Sequence, residues 1–291
     1  MSIINTLIKP VDSITVNRPA VHTVGNLALA VDYDNPAAEV AESAENFDVR
    51  SYFMTKGFAI DFSKENVCIG PVENLAFLVA VNYRSCKYFL KYIRENVAKK
   101  CFHINYSLSQ ASDSEKDVIV GLAEKFGEYG IISNVFYNRN TNVINGMISS
   151  APRIINFLNG DYLEFYGRAV AGRVVKESAQ KHGVDYEIYS NVIISKDAEK
   201  HELDIVFRVG ENVFWSEIKS GKFSDFDNYR KLGILMGVNP DRHILLTAEK
   251  SDEAAEVISW FYQFYVSNIE NFKNKLEEMI DKAFEGGKNN D

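Results

Sequence analysis

"HELDIVFRVGENVFWSEIKSG", residues 201–221, decides how this chain folds. Two strand-like runs flank the turn sequence "VGEN". Strand side chains alternate between faces. In the first run Leu203, Ile205 and Phe207 share one face, while Glu202, Asp204 and Val206 share the other. In the second, Phe214 and Ile218 point one way and Trp215, Glu217 and Lys219 the other. Each strand therefore has an apolar face and a face carrying acids. The turn decides whether the two acid faces meet. A two-residue loop at Gly210-Glu211 pairs Asp204 with Glu217, and one at Glu211-Asn212 sets Asp204 against Lys219. A three-residue loop without a bulge sends them to opposite faces.

Carboxylates brought close together raise each other's pKa unless a cation lies between them. Lys219 supplies one positive charge, and a hard divalent ion such as Mg²⁺ or Mn²⁺ suits the oxygens better. A lysine two residues from a metal-binding glutamate can orient a water beside a phosphate and offset the charge that develops there. The plain alternative is a surface hairpin whose Glu217 and Lys219 form an exposed ion pair.

Around the hairpin, strands and helices alternate, which points to an α/β protein. "NLALAVDY" (26–33), "FAIDF" (58–62), "LAFLVAVNY" (75–83) and "CFHINYS" (101–107) read as strands. Asn35-Pro36 opens a helix running to about Lys56, and 85–100 shows helical spacing. This gives an N-terminal α/β sandwich module over 1–108. A capped helix from Ser112 or Ser114, followed by "IISNVFYN" and "NVINGMIS", makes a winged-helix-like connector over 109–155. A plain linker subdomain fits that pattern equally. Residues 156–285 then hold a long helix from Gly160-Asp161, the strand 186–195, the hairpin, a helix at 225–237, a strand at 242–248 and one long amphipathic helix over 252–284. In that last helix Ile258, Phe261, Tyr265 and Ile269 lie at helical spacing, as for core packing or a dimer seam.

Several chemistries are poorly served. The net charge of −8 argues against a protein that binds nucleic acid with its whole surface, though not against a local basic cleft. Five scattered histidines and three cysteines (Cys68, Cys86, Cys101) lack zinc-ligand spacing, and His103 reads as half-buried. The odd cysteine count, with no signal-peptide core and no apolar run of membrane length, suggests a reduced, cytoplasmic protein.

The order helix-Glu, Asp, short hairpin, Glu-x-Lys resembles the PD-(D/E)XK superfamily, with its restriction-endonuclease-like α/β core. Here it comprises Glu164 in "GDYLEFY", Asp204 in "HELD", and Glu217 with Lys219 in "SEIKSG". "FLNGDYLEFY", "NVIISKDAEKHELDIVF" and "EIKSGKF…NYRKLGILMGVNPDRHILL" are similar to stretches of the nucleases fused to CARF sensor domains in type III CRISPR defence. The likeness covers roughly 150–248 and the helix-plus-hairpin before it. It implies metal-dependent phosphodiester hydrolysis of DNA or RNA, leaving 5′-phosphate ends. Asp204 and Glu217 would be the main ligands of Mg²⁺ or Mn²⁺, with the Ile218 carbonyl a third. Glu164 would bind metal through water or complete a second site, and Lys219 would position the attacking water. Glu202 and Lys231 would line the substrate path. A homodimer and a cyclic oligoadenylate activator are the implied partners. Asp161-Tyr162 replaces the family's Gly-Trp, His201 its Asn, and Val238 the second Gly of its "LGG". At the front, the family's "TGGTK"-like stretch has only a loose echo in "CIGPVENLAF". The rival expectation is a non-catalytic regulator that binds nucleic acid through the connector and keeps the nuclease fold as scaffold.

Overall fold

A computed structural model of the chain describes residues 47–63 and 70–285, so the predicted strand 26–33 and the start of the helix predicted from residue 36 lie outside the described residues. The principal feature is a six-stranded mixed sheet in the order β1-β5-β6-β7-β8-β9. Its strands are β1 (Ala59–Asp61), β5 (Tyr186–Lys196), β6 (Glu199–Val209), β7 (Asn212–Lys219), β8 (His243–Thr247) and β9 (Tyr265–Ser267). The first four are antiparallel neighbours, while β7, β8 and β9 run parallel. Parallel strands need a crossover. The helix α7 (Phe226–Met236) supplies it between β7 and β8, and α8 (Asp252–Tyr262) between β8 and β9.

Helices cover both sheet faces. The helix α6 (Tyr162–His182) and α9 (Phe272–Glu285) pack on Ile205, Phe207, Phe214, Ile218 and Leu246. On the other face α1 (Val49–Thr55), α7 and α8 cover Val206, Val213, Trp215 and Leu245. A smaller sheet, in the order β2-β4-β3, holds β2 (His103–Ser107), β3 (Ile132–Asn138) and β4 (Val143–Ile148). With α2 (Gly70–Val81), α3 (Tyr83–Ala98) and α4 (Asp113–Glu128) it forms a winged-helix-like unit. Its core is continuous with the core beneath α6. Strand β2 pairs with β4, so a strand that precedes residue 109 completes the sheet of the connector hairpin.

Four local expectations need correction. "LAFLVAVNY" is not a strand: 75–81 belong to α2 and Tyr83 opens α3. Leu75, Ala76, Val79 and Ala80 are buried there, and a continuous apolar run cannot by periodicity alone separate a buried strand from a buried helix. The helix expected from residue 36 to 56 instead starts at Val49, because Asp48 caps it and forms a capping box with Ser51. The long helix over 252–284 is two helices and a strand. Gln263 at φ +58 ends α8, and Tyr265–Ser267 join the sheet, so Phe261 does not reach the core and is 68% exposed. His103 is exposed, not half-buried.

Candidate active site

The turn after β6 settles the pairing left open by the sequence. Val209 pairs with Asn212, so Gly210-Glu211 form a two-residue loop, with Gly210 at φ +58. Glycine adopts that conformation without a steric penalty. The ladder continues through Arg208↔Val213 and Phe207↔Phe214 and ends at Ile205↔Ser216, so Asp204 and Glu217 are the residues next beyond it. The Ile218 N–H donates instead to Asp204 Oδ2 at 2.7 Å.

The face assignments hold for β7 but not for all of β6. Ile205 and Phe207 join the core under α6, as do Phe214 and Ile218. Leu203 was expected on the same side, yet it packs with Val206 and Trp215 on the opposite one. The cause lies on β5. Asn191 has φ +54 between the pairs Ser190↔Ile205 and Val192↔Leu203, which breaks the pleat opposite Asp204. Asp204 therefore sits where the two apolar layers exchange sides.

Glu164 arrives from the first turn of α6. A Cβ on Gly167 would lie 2.5 Å from Ile218 Cδ1 and 3.3 Å from Leu246 Cδ2, so a side chain there must displace the Ile218 methyl where α6 lies against β7. Gly167→Val should cost about 1–3 kcal/mol through overpacking. Urea unfolding would measure this, and an unchanged midpoint would mean that α6 has room to shift.

The charges interact strongly. Burial pushes Glu164 up to about 7, with Asp204 and Asp161 adding to the rise and Lys219 opposing it. Glu217 is also pushed up to about 7, first by burial and then by Asp204, against the pull of Lys219. Burial raises Asp204 as well, partly offset by Lys219 and by the Ile218 N–H. Burial pulls Lys219 down, but Glu217, Asp204 and Glu164 outweigh it, and its pKa ends above the usual lysine value. Its Nζ lies 2.5 Å from Glu217 Oε1. Glu217 is mostly buried and Lys219 about a third exposed, so they are not the surface ion pair of the plain alternative.

Glu164, Asp204, Glu217 and Lys219 thus act on one another from three elements, α6, β6 and β7. Glu202 is exposed and adds negative potential to Glu164 and Asp204. Lys231 is exposed on α7 and lines a cleft of about 640 Å³ together with Glu217, Lys219, His201, Phe223 and Tyr229. Asp161, His201 and Tyr229 were not anticipated as site residues. All three occur in the stretches that carried the family likeness. Tyr229 on its helix looks like any other core aromatic.

Among the described residues, no three His, Cys, Asp or Glu side chains converge as a ready-made metal cage. Two features nevertheless fit a hard divalent ion. Glu217 Oε2 is buried without a hydrogen-bond partner. Asp204 also raises the pKa of both Glu164 and Glu217, and Lys219 is the cation that opposes the rise at all three carboxylates. Mg²⁺ keeps several of its waters and is held by one or two carboxylates, a number that Asp204 and Glu217 could provide.

Neither a family model nor a curated relative matches the sequence. Solved structures share the fold. Protein VC1899 from Vibrio cholerae superposes with a TM-score of 0.53 at 15% identity, covering 81% of this chain and 61% of that one. Can2 from Sulfobacillus thermosulfidooxidans, solved in complex with cyclic tetra-adenylate, gives 0.55 at 14% identity, covering 79% and 58%. The chain therefore spans about three-fifths of the length of these two proteins. At such identities the likeness is one of fold.

Proposed function

We propose that this chain is a metal-dependent PD-(D/E)XK-type nuclease acting on DNA or RNA, within a CRISPR-associated defence response that a cyclic oligoadenylate activates. The observation that carries the proposal is the β6–β7 register, which brings Asp204 to the end of β7 with its Oδ2 accepting from the Ile218 N–H, while Glu164 and Lys219 act electrostatically on Asp204 and Glu217. The fold shared with Can2, solved with cyclic tetra-adenylate, supports the activator.

Asp204 and Glu217 would hold Mg²⁺ or Mn²⁺, with the Ile218 carbonyl a further ligand and Glu164 contacting it through water. The bound ion would supply Lewis-acid stabilisation of the phosphate and a more acidic water. Lys219 orients the attacking water and offsets charge on the phosphoryl oxygens. Glu164, whose pKa lies near neutrality, is suited to take a proton from that water. Lys231 contacts the substrate backbone along the cleft, and Glu202 borders its acidic end. A homodimer addressing two strands belongs to the same proposal. Val257, Trp260 and Phe261 are exposed on α8 and offer a seam for it.

The wing offers little support for the non-catalytic regulator. In such units the helix before the hairpin usually reads the duplex. Here α4 carries Asp113, Glu115, Asp117, Glu124 and Glu128 against Lys116 and Lys125, a charge balance that repels phosphate.

The test is incubation of the full chain with single- and double-stranded DNA and RNA, in Mg²⁺ or Mn²⁺, with and without cyclic oligoadenylates, beside Glu217→Ala. Metal-dependent cleavage lost in the variant is the expected result. Binding without cleavage under every condition would favour the regulator.

No helix among the described residues is long and apolar enough to cross a membrane. Cys86 is buried and Cys101 exposed, and both are free thiols, whereas Cys68 lies outside the described residues.

A further inference from the structure

We propose that Tyr229 is a positioning residue for Glu217. Its phenolic hydroxyl would hold the second carboxylate oxygen in place, directly or across one buried water. The proposal rests on the nuclease reading for its consequence, but not for the contact itself.

An unpaired donor and an unpaired acceptor carry it. The Tyr229 hydroxyl is buried without a hydrogen-bond partner, and so is Glu217 Oε2. Buried polar groups are rarely left alone, so each needs an explanation. A phenol has one proton to donate, and a carboxylate oxygen can accept it and keep a second lone pair. Both residues line the same cleft. The hydroxyl oxygen also lies beside the Glu217 backbone N–H, within electrostatic reach of the Glu217 and Asp204 carboxylates, so the proton it can donate is what lacks an acceptor.

Packing fixes the ring at this level. Tyr229 stacks on Trp215, with ring centroids 4.3 Å apart and planes at 28°. Trp215 is two residues before Glu217 and so on the same strand face. Phe223 and Phe264 close in edge-on or tilted against the same ring. A phenylalanine would fill this aromatic nest equally well. What the packing leaves unexplained is the hydroxyl; His243 also packs against the ring with both nitrogens unpartnered, but it lies off the cleft, whereas Glu217 lines it with Tyr229. Glu217 would then be restrained on both oxygens, by Lys219 on Oε1 and by Tyr229 on Oε2, with a lone pair of Oε2 remaining for an ion. Two unpartnered polar groups lining one cleft also suit a bridging water.

The test uses Tyr229→Phe in the full chain, which keeps the ring and its stack. Isothermal titration with Mn²⁺ alone should show affinity about 10- to 100-fold weaker than wild type, the cost typical of losing a partner behind a metal ligand. Half-saturating Mn²⁺ for cleavage should rise in parallel, with the rate recovered at saturation. A metal-free arm isolates the contact. In a double-mutant cycle with Glu217→Ala at pH 8, urea unfolding should be non-additive by about fivefold or more in the unfolding equilibrium constant. Additive effects would overturn the proposal, whatever the metal result. A non-additive cycle in a wild type that neither binds Mn²⁺ nor cleaves would leave the Tyr229–Glu217 contact standing and sink the nuclease reading. Mn²⁺ affinity and half-saturation unchanged in Tyr229→Phe would show that the hydroxyl does not position the ligand.

Discussion

Glu217→Gln is expected to lower metal-dependent cleavage on the order of a thousandfold and, at the same time, to stabilise the metal-free protein at pH 8. The loss of rate follows from removing a charged group at the place where the reaction concentrates negative charge and its counter-ion. The gain in stability follows from the same burial. Glu217 is pushed up to about 7 because its charged form is poorly solvated beside Asp204 and Glu164. At pH 8 the metal-free protein must nonetheless hold that charge. Glutamine keeps the shape without it, and the gain should be about 1–3 kcal/mol, one pKa unit corresponding to roughly 1.4 kcal/mol. Lys219 keeps Asp204 and Glu164 as partners. Urea unfolding in chelator, alongside an initial-rate assay in Mn²⁺, measures both effects. A variant both inactive and less stable than wild type would mean that Glu217 serves the fold.

The second large effect is the pH dependence of the metal-free protein. Glu164 and Glu217 both titrate at about 7 when folded, against an ordinary value of 4.5. The folded state therefore holds more protons than the unfolded one between those values, and stability falls as pH rises through that window. The two groups act on each other, so their shifts do not add in full. The combined loss from pH 5 to pH 8 should be on the order of 3 kcal/mol. Mn²⁺ should restore most of it at pH 8 and little at pH 5, because it binds the deprotonated pair. The Glu164→Gln, Glu217→Gln double variant isolates the effect from the other groups that titrate differently on folding, above all His243, which burial pulls down to about 3 and which makes stability rise with pH, so the loss is read as the difference between wild type and variant. Thermal unfolding at the two pH values, with and without Mn²⁺, provides the measurement. A wild type whose pH dependence matches that of the double variant would show that these carboxylates are well solvated after all.

Much of this site could be read before any coordinates. Glu164, Asp204, Glu217 and Lys219 were picked out by spacing and by family likeness, and the structure gathers them around the middle of β6 and the end of β7. What escaped was of another kind. Leu203 follows strict alternation in the sequence, but Asn191 on the neighbouring strand breaks the pleat and sends it to the other layer. "LAFLVAVNY" misled because an unbroken apolar run has no period, and the helical spacing over 252–284 misled because it runs on across a helix end. The first is buried helix, and the second is interrupted by one residue in the left-handed region, Gln263. Tyr229 is invisible as a polar residue until its hydroxyl is seen buried without a partner.

By itself, then, the sequence determined an α/β chain with two acid-bearing strands joined by a turn that tolerates a two-residue loop, because side-chain alternation and turn chemistry are local. Only the tertiary structure decided the rest. A strand's register depends on the loop actually adopted, and the pKa of a carboxylate depends on what buries it. The approach of α6 through Gly167 sets Glu164 beside Asp204 and Glu217, and the stacking of α7 on Trp215 sets Tyr229 there too. Those are contacts between segments far apart in the chain, and no local pattern records them.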